Sequence, residues 1–181
     1  MVALIGAAGS GKDTIMKKIL KEHPDWNEII SCTSRPPREG EKQGINYYFY
    51  TDEEFIELVN SGQMLESTNF NNWFYGTPLE ALKKDAINIG VFNPAGIKSL
   101  RQNKNIDLMV FYIKVDDKER LLRQLNREKH PDVNEIIRRF YTDQKDFADL
   151  PFFYWNLSNN TKDDLKRAIE VIPQMATFGQ N

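Results

Sequence analysis

The sequence contains only one cysteine and lacks any long apolar run. Because Cys32 is alone among 181 residues, no disulfide can form within the chain. We find no apolar run of roughly 18 residues and no cationic-apolar leader, and therefore expect a cytoplasmic protein with no membrane-spanning segment. The net charge of −2 does not provide the positive surface that a phosphate backbone or an anionic membrane requires. We therefore expect neither nucleic acid nor membrane as a partner.

The composition predicts one well-packed core. Hydrophobic residues make up 40% of the chain and charged residues 28%, which is typical of a globular domain of this length. We expect a single domain with small inserted subdomains that exists as a monomer or a homodimer.

A glycine-rich stretch follows the first apolar run, Val2 to Ile5, and opens an amphipathic segment that ends near Glu22. Its glycines allow a tight turn whose N–H groups converge on one point, while a lysine and the positive end of a helix add charge there. In this context, a chance glycine-rich connection is the weaker interpretation. The pattern predicts a cradle for nucleotide phosphates, formed by Gly6, Ala7, Ala8, Gly9, Ser10, Gly11, Lys12, Asp13 and Thr14.

One position in this cradle departs from the usual pattern. The residue after Lys12, where a Ser or Thr hydroxyl usually contacts Mg²⁺, is Asp13. Thr14 is then the candidate metal ligand, or the metal contact runs through water.

A second anion site is predicted by Arg35 and Arg38, which flank Pro36 and Pro37. The prolines exclude a regular helix, so both arginines are held on an extended loop where they can converge on one dianion. The planar guanidinium group forms two parallel hydrogen bonds to phosphate oxygens.

Beyond this loop, several short motifs occur in a recognisable order. They are the segment from Ser31 to Glu41, Gly44 to Phe49, the helix start at Asp52, Gln63 to Glu66, and Tyr75-Gly76-Thr77. Together with the phosphate loop upstream, this order resembles that of guanylate kinases over nearly the whole chain. The resemblance implies ATP as phosphate donor, GMP or dGMP as acceptor, and Mg²⁺ as cofactor.

The resemblance also implies roles for residues of the acceptor site. Arg35, Arg38, Tyr47 and Tyr75 would hold the acceptor phosphate, and Ser31 and Thr77 would reach the guanine edge. Glu66 would read the base, because a carboxylate accepts the two adjacent N–H groups of guanine, whereas adenine presents a lone pair there. Taken alone, each of these residues could be a solvated or packing side chain.

The acceptor site departs from the family at the end of the strand predicted for 87–93. Guanylate kinases usually carry acidic residues there, but this chain has Val91 and Asn93. Asn93 aligns with the acceptor-binding position and adds no negative charge. This difference leaves the acceptor preference open.

Two arginine-bearing helices are predicted in the last third of the chain. One runs from Asp117 to about Glu128 and is expected to bury Leu121, Leu122 and Leu125; the other begins near Asp132, with Val133, Ile136, Ile137 and Phe140 inward. By resemblance, Arg127 and Arg139, with Arg123 as a weaker candidate, belong to a mobile lid that reaches the transferred phosphate. The alternative is that these arginines form surface ion pairs.

The sequence predicts two further elements, a helix and a strand. Pro78 should start a helix that runs to about Ala86, and Phe152 to Asn156 reads as the last core strand. By resemblance, Asn156 lies close to the adenine of the donor.

Strands that alternate with helices predict an α/β fold of three layers, α/β/α, with a central parallel sheet. We expect a core at about 1–30, 77–122 and 140–181, a subdomain that binds the nucleoside monophosphate at about 31–76, and a short lid at about 123–139. Lys12, Arg35, Arg127 and Arg139 are the predicted catalytic residues. Two other functions remain open: a kinase for another deoxynucleoside monophosphate, and an inactive module that binds protein ligands.

Overall fold

The structure is a computed structural model that describes residues 1–38, 40–70, 72–127 and 129–178. The strands are β1 (Val2–Ile5), β2 (Asn27–Glu28), β3 (Cys32–Thr33), β4 (Tyr48–Phe49), β5 (Met64–Phe70), β6 (Trp73–Pro78), β7 (Asn88–Val91), β8 (Met109–Lys114) and β9 (Trp155–Ser158). The α-helices are α1 (Lys12–Glu22), α2 (Asp52–Asn60), α3 (Pro94–Leu100), α4 (Asp117–Leu125), α5 (Val133–Asp146) and α6 (Lys162–Phe178). The expected end of α4 at Glu128 lies outside the described residues.

A five-stranded sheet in the order β2-β7-β1-β8-β9 forms the centre of the molecule. Every neighbouring pair in it is parallel, which confirms the predicted α/β fold class. The central strand β1 is buried along its whole length, as expected for a parallel strand that is covered on both faces. Because parallel strands end at the same edge, the loops after β1 and β7 come together there and can form a binding site.

Helices cover both faces of this sheet. On one face, Ile15 and Ile19 of α1 pack with Ile169 and Ile172 of α6 in one hydrophobic cluster. On the other face, Ile97 and Leu100 of α3 belong to a second cluster, which also contains Ile5 of β1. Among the described helices, none combines the length and the apolar content needed to cross a bilayer.

A second, four-stranded sheet in the order β4-β3-β6-β5 lies between β2 and β7 in the chain. The helix α2 backs it, with Phe55 fully buried and stacked on Phe74 at a ring-centroid distance of 5.4 Å. Thr51 and Glu54 form a capping box at the start of this helix, which begins at Asp52 as predicted.

The helix expected from Pro78 to Ala86 is not formed. Pro78 ends β6, and only a short 3-10 turn, Leu79–Ala81, follows it. The Asn88 amide holds the next residues in a loop, because its Oδ1 accepts from the Lys83 N–H at 2.8 Å and its Nδ2 donates to the Lys83 carbonyl at 2.9 Å. The helix prediction was therefore wrong beyond the first turn.

The last strand of the central sheet lies later in the chain than predicted. The prediction placed it at Phe152 to Asn156, whereas β9 is Trp155–Ser158. The prediction took the aromatic run as part of the strand. In the structure, Phe152 and Tyr154 precede the strand and pack beside the sheet around Tyr112 of β8.

The inward face of α4 is polar, contrary to prediction. Leu122 and Leu125 are 44% and 37% exposed, while Arg120 and Gln124 of the same helix are buried. The reason is that α4 packs its inner face against the polar loop after β1. On α5, Ile136 is buried as expected, but Val133 and Ile137 are exposed.

Candidate functional site

The loop after β1 folds so that its lysine faces the loop itself. Gly11 has a φ of 84° and precedes α1, which begins at Lys12. The Lys12 Nζ donates to the carbonyls of Gly6 at 2.7 Å and Ala7 at 3.2 Å and lies 3.3 Å from the Ser10 Oγ. Burial lowers the pKa of Lys12, although the nearby Asp13 and Asp143 raise it. An anion in this loop would therefore neutralise a partly desolvated cation.

Glycine is required at two positions of the loop, where the backbone is left-handed and close to other elements. At Gly9, with a φ of 81°, a Cβ atom would overlap the Arg120 carbonyl oxygen of α4. At Gly11, a Cβ atom would lie 2.6 Å from the Nδ2 of Asn159, a residue that follows β9. The loop is thus enclosed by α4 on one side and by the end of β9 on another.

Asn159 supports the loop from the end of β9. Its buried Nδ2 donates to the Ser10 carbonyl at 2.7 Å. Asn156, which sequence reasoning assigned to the donor site, lies within β9 opposite Tyr112 and is exposed. The displaced strand prediction explains why Asn159 was missed: the strand was predicted to end at Asn156 but ends at Ser158, which puts Asn159 just beyond its carboxyl end.

A cavity of about 440 Å³ connects this loop with the second sheet and the two arginine-bearing helices. Its size suits a nucleotide-scale ligand. The predicted site residues that line it are Gly6, Ala8, Gly9, Gly11, Lys12, Asp13, Thr14, Ser31, Arg38, Tyr47, Glu66, Tyr75, Asn93, Arg127 and Arg139. The other predicted residues, Ala7, Ser10, Arg35, Thr77 and Asn156, lie outside this lining.

The two arginines beside the diproline differ in their surroundings. Arg35 is 4% exposed, and its Nη2 donates to both carboxylate oxygens of Glu41, at 3.1 and 2.9 Å. Burial, and after it the charges of the neighbouring Arg139 and Arg35, lower the pKa of Arg38 to about 10. Arg38 therefore lies at the point where positive charges converge, and an anion bound there would relieve their repulsion.

A ring pair lies next to these arginines. The rings of Tyr47 and Tyr75 meet edge to face at a centroid distance of 6.1 Å, and the Arg35 guanidinium carbon lies 5.6 Å from the Tyr47 centroid. Burial raises the pKa of Tyr47 to about 12, so its hydroxyl remains a hydrogen-bond donor at neutral pH.

Glu66 projects from β5 into the other end of the cavity and is only 7% exposed. Its Oε1 accepts a hydrogen bond from the Thr77 hydroxyl at 2.8 Å, and burial raises the pKa of this carboxyl group to about 7. Thr77, which was predicted to reach the guanine edge, is fully buried, and its hydroxyl orients Glu66.

Asn93 lies at the end of β7, close to Glu66. Its Oδ1 accepts from the Gly96 N–H at 2.6 Å and so caps α3, while its Nδ2 donates to the Thr68 hydroxyl at 3.3 Å. A Cβ atom at Gly96 would lie 3.3 Å from the Glu66 Oε2, so this glycine leaves room beside the carboxylate. Thr68 lines the cavity here and was not predicted.

The arginines of α5 pair with a glutamate on their own helix. Arg138 bonds both oxygens of Glu135, at 2.6 and 2.8 Å, and the Arg139 Nε donates to the Glu135 Oε1 at 2.7 Å. Hydrogen bonds from Arg138, and then from Arg139, hold the pKa of Glu135 at about 2. Arg123 of α4 likewise pairs with a glutamate of its own helix, because its Nε donates to the Glu119 Oε1 at 2.9 Å, and its Nη2 also donates to the Asn159 carbonyl at 2.8 Å.

Three residues that contact the loop were missed by sequence reasoning. Gln124 donates to the Ala8 carbonyl at 3.3 Å, and the Asp143 Oδ2 accepts from the Ala8 N–H at 2.7 Å. Arg120 is 3% exposed and bonds Asp143 at 3.2 Å. No motif marks these residues. The i, i+4 spacing of Arg120 and Gln124 places them on one face of α4, but the prediction took Leu121, Leu122 and Leu125 of the same helix as its inward side.

The comparisons with known proteins agree with this geometry. A parallel α/β sheet with a phosphate loop after its first strand, and with a second cationic site across one cavity, defines a phosphate-loop kinase of small nucleotides. The family model "Guanylate kinase" matches residues 1–174. The chain belongs to the guanylate kinase family.

Individual relatives cover nearly the full length. The guanylate kinase of Nostoc sp. is 32% identical over 184 residues, which cover 99% of this chain and 89% of that protein. The guanylate kinase of Campylobacter jejuni is 30% identical over 192 residues, which cover 100% of this chain and 92% of the relative. The crystal structure of guanylate kinase from Anaplasma phagocytophilum superimposes with a TM-score of 0.76 at 20% identity, covering 99% of this chain and 85% of that one.

Proposed function

We propose that the protein transfers the γ-phosphate of ATP to GMP or dGMP and releases ADP with GDP or dGDP. One observation carries this proposal: the phosphate loop with Lys12 and the cationic point at Arg38 line the same cavity. Two anionic ligands bound there would therefore present their phosphates to each other. The family membership of the chain supports the same reaction.

The acceptor would bind between the second sheet and α3. Arg38, with Tyr47 and Tyr75, would hold its phosphate, and Glu66 oriented by Thr77 would accept hydrogen bonds from the guanine edge. Ser31 and Asn93 line the same end of the cavity. We assign the subdomain at about 31–76 to this acceptor and the segment at about 123–139 to a lid.

Arg35 would act from behind the site. Arg35 lines a smaller cavity of about 370 Å³, which Arg38, Arg127 and Arg139 also line. In this arrangement Arg35 fixes the diproline loop through Glu41 and adds positive charge next to Arg38.

Phosphoryl transfer depends on positioning and on charge neutralisation, so neither a general base nor a covalent intermediate is required. Lys12 and the loop amides would hold the donor phosphates, and Arg127 and Arg139 would approach the transferred group from the lid. Closing the lid would exclude water, which could otherwise accept the phosphate.

The donor set of the cavity suits a hard cation that is held mostly by phosphates and water. Within the described ranges, no group of three or more His, Cys, Asp or Glu side chains could hold a metal ion. Thr14, Asp13 and Asp146 line the cavity, and the buried Asp146 Oδ2 has no hydrogen-bond partner among the described residues. Such hard oxygens suit Mg²⁺, for which Thr14 is the proposed direct ligand. When bound, Mg²⁺ would neutralise part of the charge on the polyphosphate.

A panel of acceptors tests the proposal. ADP release, coupled to a spectroscopic readout, would be measured with ATP and each of GMP, dGMP, AMP, CMP and dTMP. We expect turnover with GMP or dGMP that exceeds turnover with the others by at least about 100-fold. Equal rates across the panel, or no turnover with any acceptor, would overturn the assignment.

One observation favours a second candidate, a kinase for another deoxynucleoside monophosphate. Val91 at the end of β7, and Phe92 and Asn93 just after it, line the cavity but contribute no carboxylate to it. Turnover with dTMP but not with GMP would select this candidate. The remaining expectations, a cytoplasmic location and a monomeric or homodimeric state, stay predictions.

A further inference from the structure

The backbone of Ala8, in the middle of the phosphate loop, is held by both helices that flank the proposed lid. Gln124 of α4 donates to its carbonyl at 3.3 Å, and Asp143 of α5 accepts from its N–H at 2.7 Å. The loop conformation is therefore linked to the positions of α4 and α5.

The acceptor of the Ala8 amide is an anion that the chain itself supplies. Asp143 is 9% exposed, and its Oδ2 also accepts from the buried Arg120 Nη1 at 3.2 Å. Lys12 and Arg139 attract the same carboxylate. These are the kinds of partners that a donor phosphate would use: a loop amide at a helix N-terminus and clustered cations.

We propose that Asp143 is a positioning residue of the donor site, which holds the Ala8 amide and Arg120 in place and competes with the donor phosphates for them. This inference rests on the proposed function, because it takes ATP as the ligand of the loop. Removal of its negative charge strengthens anion binding, since a like charge in a desolvated site opposes a polyphosphate.

The competition also couples the donor to the lid. Arg139 lies four residues before Asp143 on α5, so the two side chains share one face of the helix. When a donor phosphate accepts the hydrogen bond of the Ala8 N–H, Asp143 no longer accepts it. One hydrogen bond between α5 and the loop is then lost. Donor binding thus loosens the helix that carries a lid arginine.

The test is the affinity for ATP and for inorganic tripolyphosphate, measured by calorimetry with EDTA present so that no metal contributes. The variants are Asp143→Asn, which keeps an acceptor for the Ala8 amide but removes the charge, and Asp143→Ala, which removes both. Asp149→Asn is the matched control, because it deletes the same charge at an exposed position shortly after α5. We expect both Asp143 variants to bind ATP and tripolyphosphate at least about threefold more tightly, and the Asp149 variant to match the wild type.

The outcomes separate this inference from the proposed function. If the wild type binds ATP but the Asp143 variants bind it equally or more weakly, the competition is refuted and the proposed function stands. If the wild type binds neither ligand, both fail.

A measurement on the wild type covers the case in which the variants do not fold. With ¹³C-carboxyl-labelled aspartate, tripolyphosphate should shift the Asp143 carboxyl resonance together with the Ala8 amide resonance. A carboxyl resonance that does not move while the Ala8 amide responds would overturn the inference.

Discussion

Lys12 shows how the site depends on charges held at desolvated positions. Its Nζ rests on the Gly6 and Ala7 carbonyls, and burial lowers its pKa. An uncompensated cation at such a position is unfavourable, so a bound phosphate gains more from it than from a solvated lysine. The same argument applies to Arg38, where burial and the charges of neighbouring arginines lower the pKa to about 10.

Replacing Lys12 by alanine should therefore abolish turnover. We expect Lys12→Ala to lower kcat by at least about 100-fold, because a preorganised donor to the transferred phosphate is lost. A coupled assay of ADP release measures this, with Lys17→Ala, an exposed lysine on α1, as the control. Turnover of Lys12→Ala within a few-fold of the wild type would exclude the assigned role.

Glu66 should make acceptor recognition depend on pH. Its pKa is raised to about 7 by burial, so the carboxyl group is ionised above that value and takes up a proton below it. A protonated carboxyl group cannot accept two adjacent N–H groups, and GMP binding should weaken as pH falls from about 8 to 6.

The matched variant for this prediction is Glu66→Gln. It should weaken GMP binding at pH 8 by at least about tenfold, leave ATP binding within about twofold, and lack the pH dependence assigned to Glu66. The ratio of wild-type to variant GMP affinity, measured by calorimetry across this range, cancels the titration of the ligand itself. A ratio that is constant with pH, or equal GMP affinity at pH 8, would contradict the assignment.

Site residues that belong to a local sequence motif could be predicted from the sequence. Site residues whose role depends on contacts between distant elements could not. Lys12 and the glycines carry a motif, and the diproline fixes the loop of Arg38. Asp143 and Arg120 form a buried ion pair between two helices, which no local pattern encodes. Asn159 was missed because the preceding strand was predicted from aromatic residues, most of which lie before the strand in the structure.

At the scale of elements, local capping and burial decided which predictions held. The predicted start of α2 at Asp52 matches the structure, because the Thr51 and Glu54 capping box and the buried Phe55 all indicate the same helix. For α4, the leucine spacing predicted the wrong inward face, since this helix packs on a polar loop and not on the apolar core.

The cap of α2 gives a stability prediction. Thr51→Ala removes the hydroxyl that accepts from the Glu54 N–H at 3.2 Å and should lower the free energy of unfolding by about 1 kcal/mol. Urea denaturation followed by circular dichroism measures the change. Thr51→Ser keeps the hydroxyl and should retain most of the stability; an equal loss in both variants would show that the cap is not the cause.

At the scale of the whole molecule, the two sheets and the helices α4 and α5 border one cavity. The central sheet brings the loop after β1 and the end of β7 to one edge, and the second sheet brings Glu66 and Tyr75 to the same cavity. The fold class followed from the alternation of strands and helices. The position of α4 and α5 over the loop depends on tertiary contacts, and these are non-local.

The lid arginines give a prediction at this scale. Arg139→Ala should lower kcat by about 100-fold while the KM for each nucleotide changes by only a few-fold, because the guanidinium group acts on charge that develops during transfer. Lys145→Ala, an exposed cation on the same helix, is the control. A rise in KM with unchanged kcat would assign Arg139 to ground-state binding instead.

The most direct test of the account is the binding of a bisubstrate ligand in which adenosine and guanosine are joined through five phosphates. If one cavity seats both nucleotides with their phosphates facing, this ligand should bind one per chain, more tightly than ATP or GMP, and should exclude both of them. Calorimetry with ATP and GMP as competitors measures this. A ligand that displaces only one of the two nucleotides, or that binds no more tightly than ATP alone, would contradict the account.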